Sequence, residues 1–140
     1  ISVNASAEYE KAAKEYAVAL GLAFQIKDDI LDYAGTDSVG KPLGVDILEQ
    51  KITMPLLGAF ASVSSDEETR VRKMVRDIVD RPEYRDEIVT FVKTCGGLEY
   101  AVNQLNKYVD KAVEALSVLP DSKEKEMLVE LAHFTARRVF

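Results

Sequence analysis

The feature that most constrains this chain is one long helical pattern, from about Ser6 to about Tyr33, that is apolar on nearly every side. Ser6 can cap its start, and Glu8 supplies an acidic residue to the first turn. A helix that is apolar nearly all round is typical of a buried helix. The sequence therefore predicts a long buried helix, and any acidic residues inside it need an explanation of their own.

The rest of the chain is predicted to be helical as well. No stretch shows the sustained period-two alternation of a strand flanked by hairpin turns. Pro55 is expected near the start of the second helix, Ser65 and Glu68 form a capping box for the third, and the Gly96-Gly97 pair breaks the fourth. The predicted later helices are, in approximate numbers, 49–63, 65–80, 84–94, 98–116 and 121 to the C-terminus. The sequence thus predicts an all-α fold.

Composition narrows the function. The 140 residues carry a net charge of −6, which argues against a nucleic-acid partner because phosphates need a basic face. Cys95 and His133 are each alone, so neither a disulfide nor a zinc site is expected, and a reducing cytoplasm fits. The longest apolar run, residues 17–24, is far too short to span a membrane. The sequence starts without Met or a signal peptide, as expected of a piece of a longer chain.

Three aspartates lie near the end of the first helix. Asp28, Asp29 and Asp32 fall within an arc of about 100°, and like charges at this spacing cost roughly 0.2–0.5 kcal/mol per pair even on an exposed helix. One alternative is a solvated acidic stripe. The apolar surroundings instead favour a bound cation, and oxygen ligands favour Mg²⁺ or Mn²⁺ over zinc. Such a cation would also let an acidic protein bind a phosphate.

The loop after this helix contains glycines and a lysine. Residues 35–41 read GTDSVGK, which matches most of a P-loop, but Pro42 stands where Ser or Thr is required and no strand precedes it. We therefore reject a P-loop. Lys41 in this loop and Lys51 after it could neutralise phosphate charge beside a metal, and the alternative is that both are ordinary surface lysines.

These features together resemble one known family. The stretch GLAFQIKDDILDYAGTDSVGKPLGVDILEQKITMPLL is similar to the second aspartate-rich region of the trans-isoprenyl diphosphate synthases, the polyprenyl synthetase family. The family pattern is G-x-x-F-Q-x-x-D-D-x-x-D, then G-K-x-x-G-x-D, then a lysine and T-[LM]-P. The matching residues are Gly21, Phe24, Gln25, Asp28, Asp29, Asp32, Gly40, Lys41, Gly44, Asp46, Lys51, Thr53, Met54 and Pro55.

The resemblance implies a fold and a set of residue roles. The fold would be part of the isoprenoid (terpenoid) synthase helical bundle. Lys41 and Lys51 would bind the diphosphate and, with the three motif aspartates, form the catalytic set. Phe24 and Gln25 would line the allylic site. The expected ligands of Mg²⁺, or of Mn²⁺, are Asp28, Asp29, Asp32 and Asp46.

The resemblance also implies a reaction. It would be the head-to-tail addition of isopentenyl diphosphate to an allylic diphosphate, by a cytoplasmic homodimer that neither spans a membrane nor binds nucleic acid. The family's first aspartate-rich motif is not in this sequence. We therefore expect residues 1–140 to be the C-terminal portion of a single all-α polyprenyl synthetase domain, lacking its N-terminal half and inactive alone. A non-catalytic prenyltransferase-like subunit or scaffold and, less favoured, a terpene cyclase of the same fold are the alternatives.

Overall fold

The computed structural model describes residues 3–34 and 44–137, with side chains from residue 7 onward. In these two ranges the chain forms helices and connecting turns and contains no strand, as the sequence predicted. The helices are α1 (Val3–Ala34), α2 (Val45–Leu48), α3 (Met54–Phe60), α4 (Ser65–Arg76), α5 (Tyr84–Thr94), α6 (Gly97–Ala115), a 3₁₀ turn (Leu116–Val118) and α7 (Lys123–Ala136).

The described residues divide into two compact units. The first unit contains the chain up to Lys27 and from Gln104 onward, and the second contains the chain between Asp28 and Asn103. Both α1 and α6 therefore contribute residues to each unit. That residues 1–140 are the C-terminal portion of a single synthetase domain stays a prediction.

In the first unit, α1 and α6 each bury an apolar face. Its buried residues recur at three- and four-residue spacing, which is the period of a helix face turned inward. Tyr16 donates a hydrogen bond of 2.7 Å to the Leu128 carbonyl, and the Lys27 ammonium lies 5.6 Å from the centre of the Phe134 ring. The buried residues include Ala12, Tyr16, Leu20, Ala23, Leu105, Val109 and Ala112.

One face of α1 contradicts the prediction of a helix buried on all sides. On this face Val18 is 56% exposed and Leu22 43%, and Phe24, on another side of the helix, is 45% exposed. Hydrophobic periodicity reports which side chains are apolar, and it cannot report whether another element covers them. The prediction was therefore wrong for this face of the helix as the structure describes it.

The second unit packs its helices closely around an apolar cluster in which α5 lies against α3 and α4. Two glycines allow α3 and the start of α6 to approach each other closely. A Cβ on Gly97, at the start of α6, would overlap the Pro55 carbonyl oxygen, and a Cβ on Gly58 would lie 2.6 Å from the Tyr100 side chain. The cluster's fully buried members include Tyr33, Ile47, Leu56, Ile78, Ile88 and Val92.

One predicted helix start and one predicted helix cap were wrong. The second predicted helix begins at Met54 and not at residue 49, because Gln50 takes a left-handed conformation (φ 63°) and Thr53 is extended. Pro55 lies in the first turn, where its missing N–H leaves no hydrogen bond unmade. The cap of α4 is Ser64, one residue earlier than predicted, and its hydroxyl accepts from the Glu67 N–H at 3.2 Å. The Tyr84–Thr94 helix is confirmed. In the described parts of the chain, no helix is both long and apolar enough to cross a membrane.

Candidate functional site

The three aspartates of α1 meet three different environments. Asp28 is exposed, Asp29 is 6% exposed and Asp32 is 0% exposed. A carboxylate is costly to bury unless it is hydrogen-bonded or paired. The three aspartates share one arc of the helix, but they differ in burial and are therefore not equivalent.

Asp32 is hydrogen-bonded to the backbone that follows it in the chain. Its Oδ1 accepts a hydrogen bond from the Val45 N–H at 3.0 Å, and its Oδ2 accepts from the Asp46 N–H at 3.2 Å. Its backbone carbonyl accepts from the Gly44 N–H at 2.9 Å. The first N–H groups of a helix have no partner within the helix, so Asp32 satisfies two such groups at the start of α2. These contacts fasten the end of α1 to the segment that carries Asp46.

Gly44 is the residue that makes this junction possible. Its φ is +74°, a left-handed backbone conformation that is unfavourable for residues other than glycine. A Cβ at this position would lie 2.8 Å from Cγ and Cδ of Arg85. The spacing between Gly44 and Asp46 thus has a local reason, because the glycine turn places the Asp46 N–H within hydrogen-bond distance of the Asp32 carboxylate.

Lys51 follows α2 and lies beside acidic side chains. Its ammonium is 2.8 Å from a Glu49 carboxylate oxygen and 3.9 Å from Oδ1 of Asp46. The hydrogen bond to Glu49 is the main cause that raises the pKa of Lys51. The charges of Asp46 and Asp28 raise it further. The structure therefore brings Lys51 into the electrostatic neighbourhood of two of the predicted metal-site carboxylates.

The backbone holds Lys51 in register with α2. The Lys51 N–H donates to the Asp46 carbonyl at 2.8 Å, and the preceding Gln50 donates from its side chain to the Arg76 carbonyl at 2.7 Å. This second bond anchors the left-handed Gln50, a conformation uncommon for a residue with a long side chain. The turn between α2 and the extended segment is thereby fixed from both sides.

The remaining predicted residues are not all brought together. Lys41 and Gly40 lie outside the described residues. Phe24 and Gln25 are exposed side chains of α1 in the first unit. The second unit therefore gathers the three motif aspartates, Asp46 and Lys51, and the predicted roles of all these residues stay predictions.

Two residues that the sequence did not single out as site residues lie next to this cluster. The Tyr33 hydroxyl and the Thr53 hydroxyl are buried, and neither has a hydrogen-bond partner among the described residues. Burial is the main cause that raises the pKa of Tyr33 well above its ordinary 10.0, and the charge of Asp32 comes next. Tyr33 ends the stretch DDILDY and Thr53 begins the stretch TMP, but no rule of sequence spacing relates the two residues to each other.

The donor set is suited to a hard cation. Every predicted ligand is a carboxylate, and Asp28 presents its carboxylate at the surface. Within residues 3–34 and 44–137, no three Asp, Glu, His or Cys side chains converge into a set that could hold a metal ion. Mg²⁺ commonly takes only one or two carboxylates and completes its shell with water and substrate phosphate. The residues present therefore fit a magnesium ion shared with a phosphate ligand.

Comparison with known sequences gives a consistent result. The family model described as polyprenyl synthetase matches residues 1–95. Octaprenyl diphosphate synthase of Haemophilus influenzae is 37% identical over 130 residues, which are 92% of this chain and 39% of that protein. Octaprenyl diphosphate synthase of Escherichia coli is 34% identical over 142 residues, covering 99% of this chain and 43% of that protein. The chain thus spans about two fifths of the length of these curated relatives.

Solved structures share the fold. A polyprenyl synthase from Caulobacter crescentus, complexed with calcium and isoprenyl diphosphate, superposes with a TM-score of 0.80 at 33% identity, over 96% of this chain and 41% of that one. A decaprenyl diphosphate synthase from Rhodobacter capsulatus gives 0.81 at 32% identity, over 95% and 41%. The fold is thus the all-α fold of the isoprenoid synthases. With the match to the family model, these similarities show that the chain belongs to the polyprenyl synthetase family, which confirms the resemblance seen in the sequence.

Proposed function

We propose that this chain forms part of a Mg²⁺-dependent trans-prenyltransferase that elongates an allylic diphosphate by head-to-tail condensation with isopentenyl diphosphate. The observation that carries the proposal is that the Lys51 ammonium lies 3.9 Å from Oδ1 of Asp46, and the charge of Asp28 also raises the pKa of Lys51. An exposed carboxylate can hold a cation, and an ammonium beside it can hold the phosphate that the cation bridges. The names of the relatives supply the substrate class.

Asp28 is the ligand that the geometry favours. Its carboxylate is exposed, whereas both oxygens of Asp32 accept backbone N–H groups. Asp29, at 6% exposure, is buried. A bound Mg²⁺ would neutralise the charge that develops on the departing diphosphate. In this proposal Asp28 carries most of the metal affinity, Asp29 and Asp46 support it, and Asp32 fixes the position of Asp46.

Lys51 is suited to exchange its partner for a diphosphate. Its ion pair with Glu49 is formed by side chains that are 59% and 53% exposed, and such surface pairs contribute about 0–1 kcal/mol. A diphosphate offers several charged oxygens at once and forms stronger charge-assisted hydrogen bonds. Lys51 would therefore leave Glu49 when substrate arrives. Lys41, outside the described residues, is proposed to contact the same diphosphate, with Phe24 and Gln25 lining the allylic site.

The experiment that tests this proposal uses the full-length protein with an allylic diphosphate, isopentenyl diphosphate and Mg²⁺. We expect a longer prenyl diphosphate to form and EDTA to abolish it. Lys51→Gln should lower kcat by about 10²–10³-fold, the usual effect of removing a group that stabilises transition-state charge. Lys73→Gln, a change at an exposed lysine of α4, is the matched control and should leave the rate unchanged. Equal rates for the two variants, or product formation in EDTA, would refute the proposal.

Two further parts of the proposal concern the whole protein. A cytoplasmic location is supported by a single cysteine, Cys95, which is a free thiol in the structure. A homodimer is proposed from family membership, and sedimentation of the full-length protein would test it. A monomer at working concentration would contradict this part and leave the proposed reaction intact.

A further inference from the structure

One side of α7 leaves large apolar side chains open to solvent. Met127 is 70% exposed, Leu131 42% and Phe134 51%. At 100° per residue these three side chains fall within an arc of about 60°. A spacing of four and then three residues is that of a helix that lays one face against a partner. These three residues are called the α7 stripe below.

The same helix already packs through a different side. Ala132 and Thr135 are both 0% exposed, and the Leu128 carbonyl accepts the hydrogen bond from the Tyr16 hydroxyl of α1. Single exposed apolar residues are ordinary, but a helix that is apolar on two sides is typical of a position between two layers of structure. The described residues supply one of these layers. The α7 stripe therefore indicates a second layer that covers the other side.

Polar side chains flank the α7 stripe. Glu124 and Glu130 are exposed on its two sides, and Glu130 pairs with Arg137 at 3.5 Å. An apolar centre with a polar rim is the usual anatomy of a protein interface. A helix that lies on a membrane instead carries mainly Lys and Arg on its polar face. The acidic rim, together with the net charge of −6, therefore favours a protein partner over a lipid surface.

The lengths of the relatives indicate which protein segment this partner is. The chain covers 39% of the Haemophilus influenzae synthase and 43% of the Escherichia coli synthase, and it superposes on 41% of the Caulobacter crescentus structure. About three fifths of each of those chains therefore lies outside the shared region. A segment of the same polypeptide is present at a high effective concentration, so it competes well against any separate protein.

We propose that the α7 stripe is the docking surface for the N-terminal portion of the full-length protein, the portion that we expect to precede residue 1. An apolar face of that portion would cover Met127, Leu131 and Phe134, and α7 would become an inner helix of the complete fold. This docking concerns assembly of the fold and does not depend on the proposed reaction.

The test measures thiol reactivity in the full-length protein. Met127→Cys and Leu131→Cys are compared with Val79→Cys, the matched control, because Val79 is also an apolar residue that is 70% exposed. The rate of the unaltered protein is subtracted, since Cys95 is itself a free thiol. In the native protein we expect both α7 variants to react with a disulfide reagent at least about tenfold more slowly than Val79→Cys. In urea all three variants should react equally fast.

Met127→Lys provides a second measurement that needs no added thiol. It should lower the thermal midpoint of the full-length protein by several degrees, because it places a charge in an apolar contact. Val79→Lys should leave that midpoint unchanged. Equal labelling rates for the α7 and Val79 variants would overturn the proposal. So would protection that is lost on dilution, which indicates a second copy, or protection that requires lipid vesicles. Neither measurement uses activity, so failure of this docking is distinguished from failure of the proposed function.

Discussion

Replacement of Asp32 by asparagine separates a structural role from a metal-binding role. Both Asp32 carboxylate oxygens accept backbone N–H groups, from Val45 at 3.0 Å and from Asp46 at 3.2 Å, at a side chain that is 0% exposed. An amide keeps one acceptor oxygen, but its NH₂ group is a donor and cannot serve the second N–H. Asp32→Asn therefore removes one charge-assisted hydrogen bond and leaves a buried donor facing another donor.

The expected loss follows from these two contacts. A hydrogen bond to a charged group contributes about 1.5–3 kcal/mol, and a buried unsatisfied donor costs about 1–3 kcal/mol. The loss of one negative charge works in the opposite direction, since it relieves repulsion with Asp28 and Asp29, by roughly 0.2–0.5 kcal/mol per pair. The hydrogen-bond terms are larger. We therefore expect Asp32→Asn to lower the free energy of unfolding by about 2–4 kcal/mol.

Asp28→Asn is the matched comparison on the same helix. Asp28 is exposed, so its change should alter the unfolding free energy by no more than about 0.5 kcal/mol. It should instead raise the Mg²⁺ concentration needed for activity. Urea unfolding followed by circular dichroism measures the first effect, and a Mg²⁺ titration of activity measures the second. If Asp28→Asn destabilised the protein as much as Asp32→Asn, the assigned division of roles would be refuted.

Three other predictions follow from single contacts. Gly44→Ala should lower the unfolding free energy by about 1–3 kcal/mol, because the left-handed backbone disfavours a Cβ that also meets Arg85. Gly97→Ala should lower it by more than about 3 kcal/mol, since its Cβ would overlap the Pro55 carbonyl, which cannot move alone. Burial raises the pKa of Tyr16 in the folded protein, so the stability that this tyrosine contributes is fully present below pH 10.0 and falls as the pH rises above that value. Tyr16→Phe should make this fall shallower.

Denaturant unfolding measures all three, with simple controls. For Gly44→Ala, a second change, Arg85→Ala, should recover the part of the stability loss that comes from the clash with Arg85. It should leave the part that comes from the left-handed backbone. For Gly97→Ala, the neighbouring Gly96→Ala is the comparison, because a Cβ there would meet nothing closer than 4.0 Å and only the left-handed backbone (φ 76°) would be strained. A Gly96 variant that lost more stability than the Gly97 variant would contradict the packing argument. For Tyr16→Phe, unfolding curves that remain parallel to the unaltered protein from pH 9 to 11 would contradict the pKa argument.

Local patterns predicted most of the helices well. The helix Tyr84–Thr94 was predicted at its exact bounds, and the break at the two glycines was predicted correctly. The prediction failed at the start of the second predicted helix, because Gln50 is left-handed and its side chain is anchored by the distant Arg76 carbonyl. It also failed on the exposed face of α1 at Val18 and Leu22. Both failures concern partners that are distant in sequence.

The sequence by itself determined the helical class, the family and the residues to examine. Helical period and carboxylate chemistry are local properties, so a linear pattern carries them. Only the tertiary structure decided how the aspartates differ: Asp32 is bound to the start of α2, whereas Asp28 faces the surface. It also buried the hydroxyls of Tyr33 and Thr53 without a hydrogen-bond partner among the described residues. A helical wheel gives the direction of each side chain, but what each one meets depends on chain segments a dozen or more residues away.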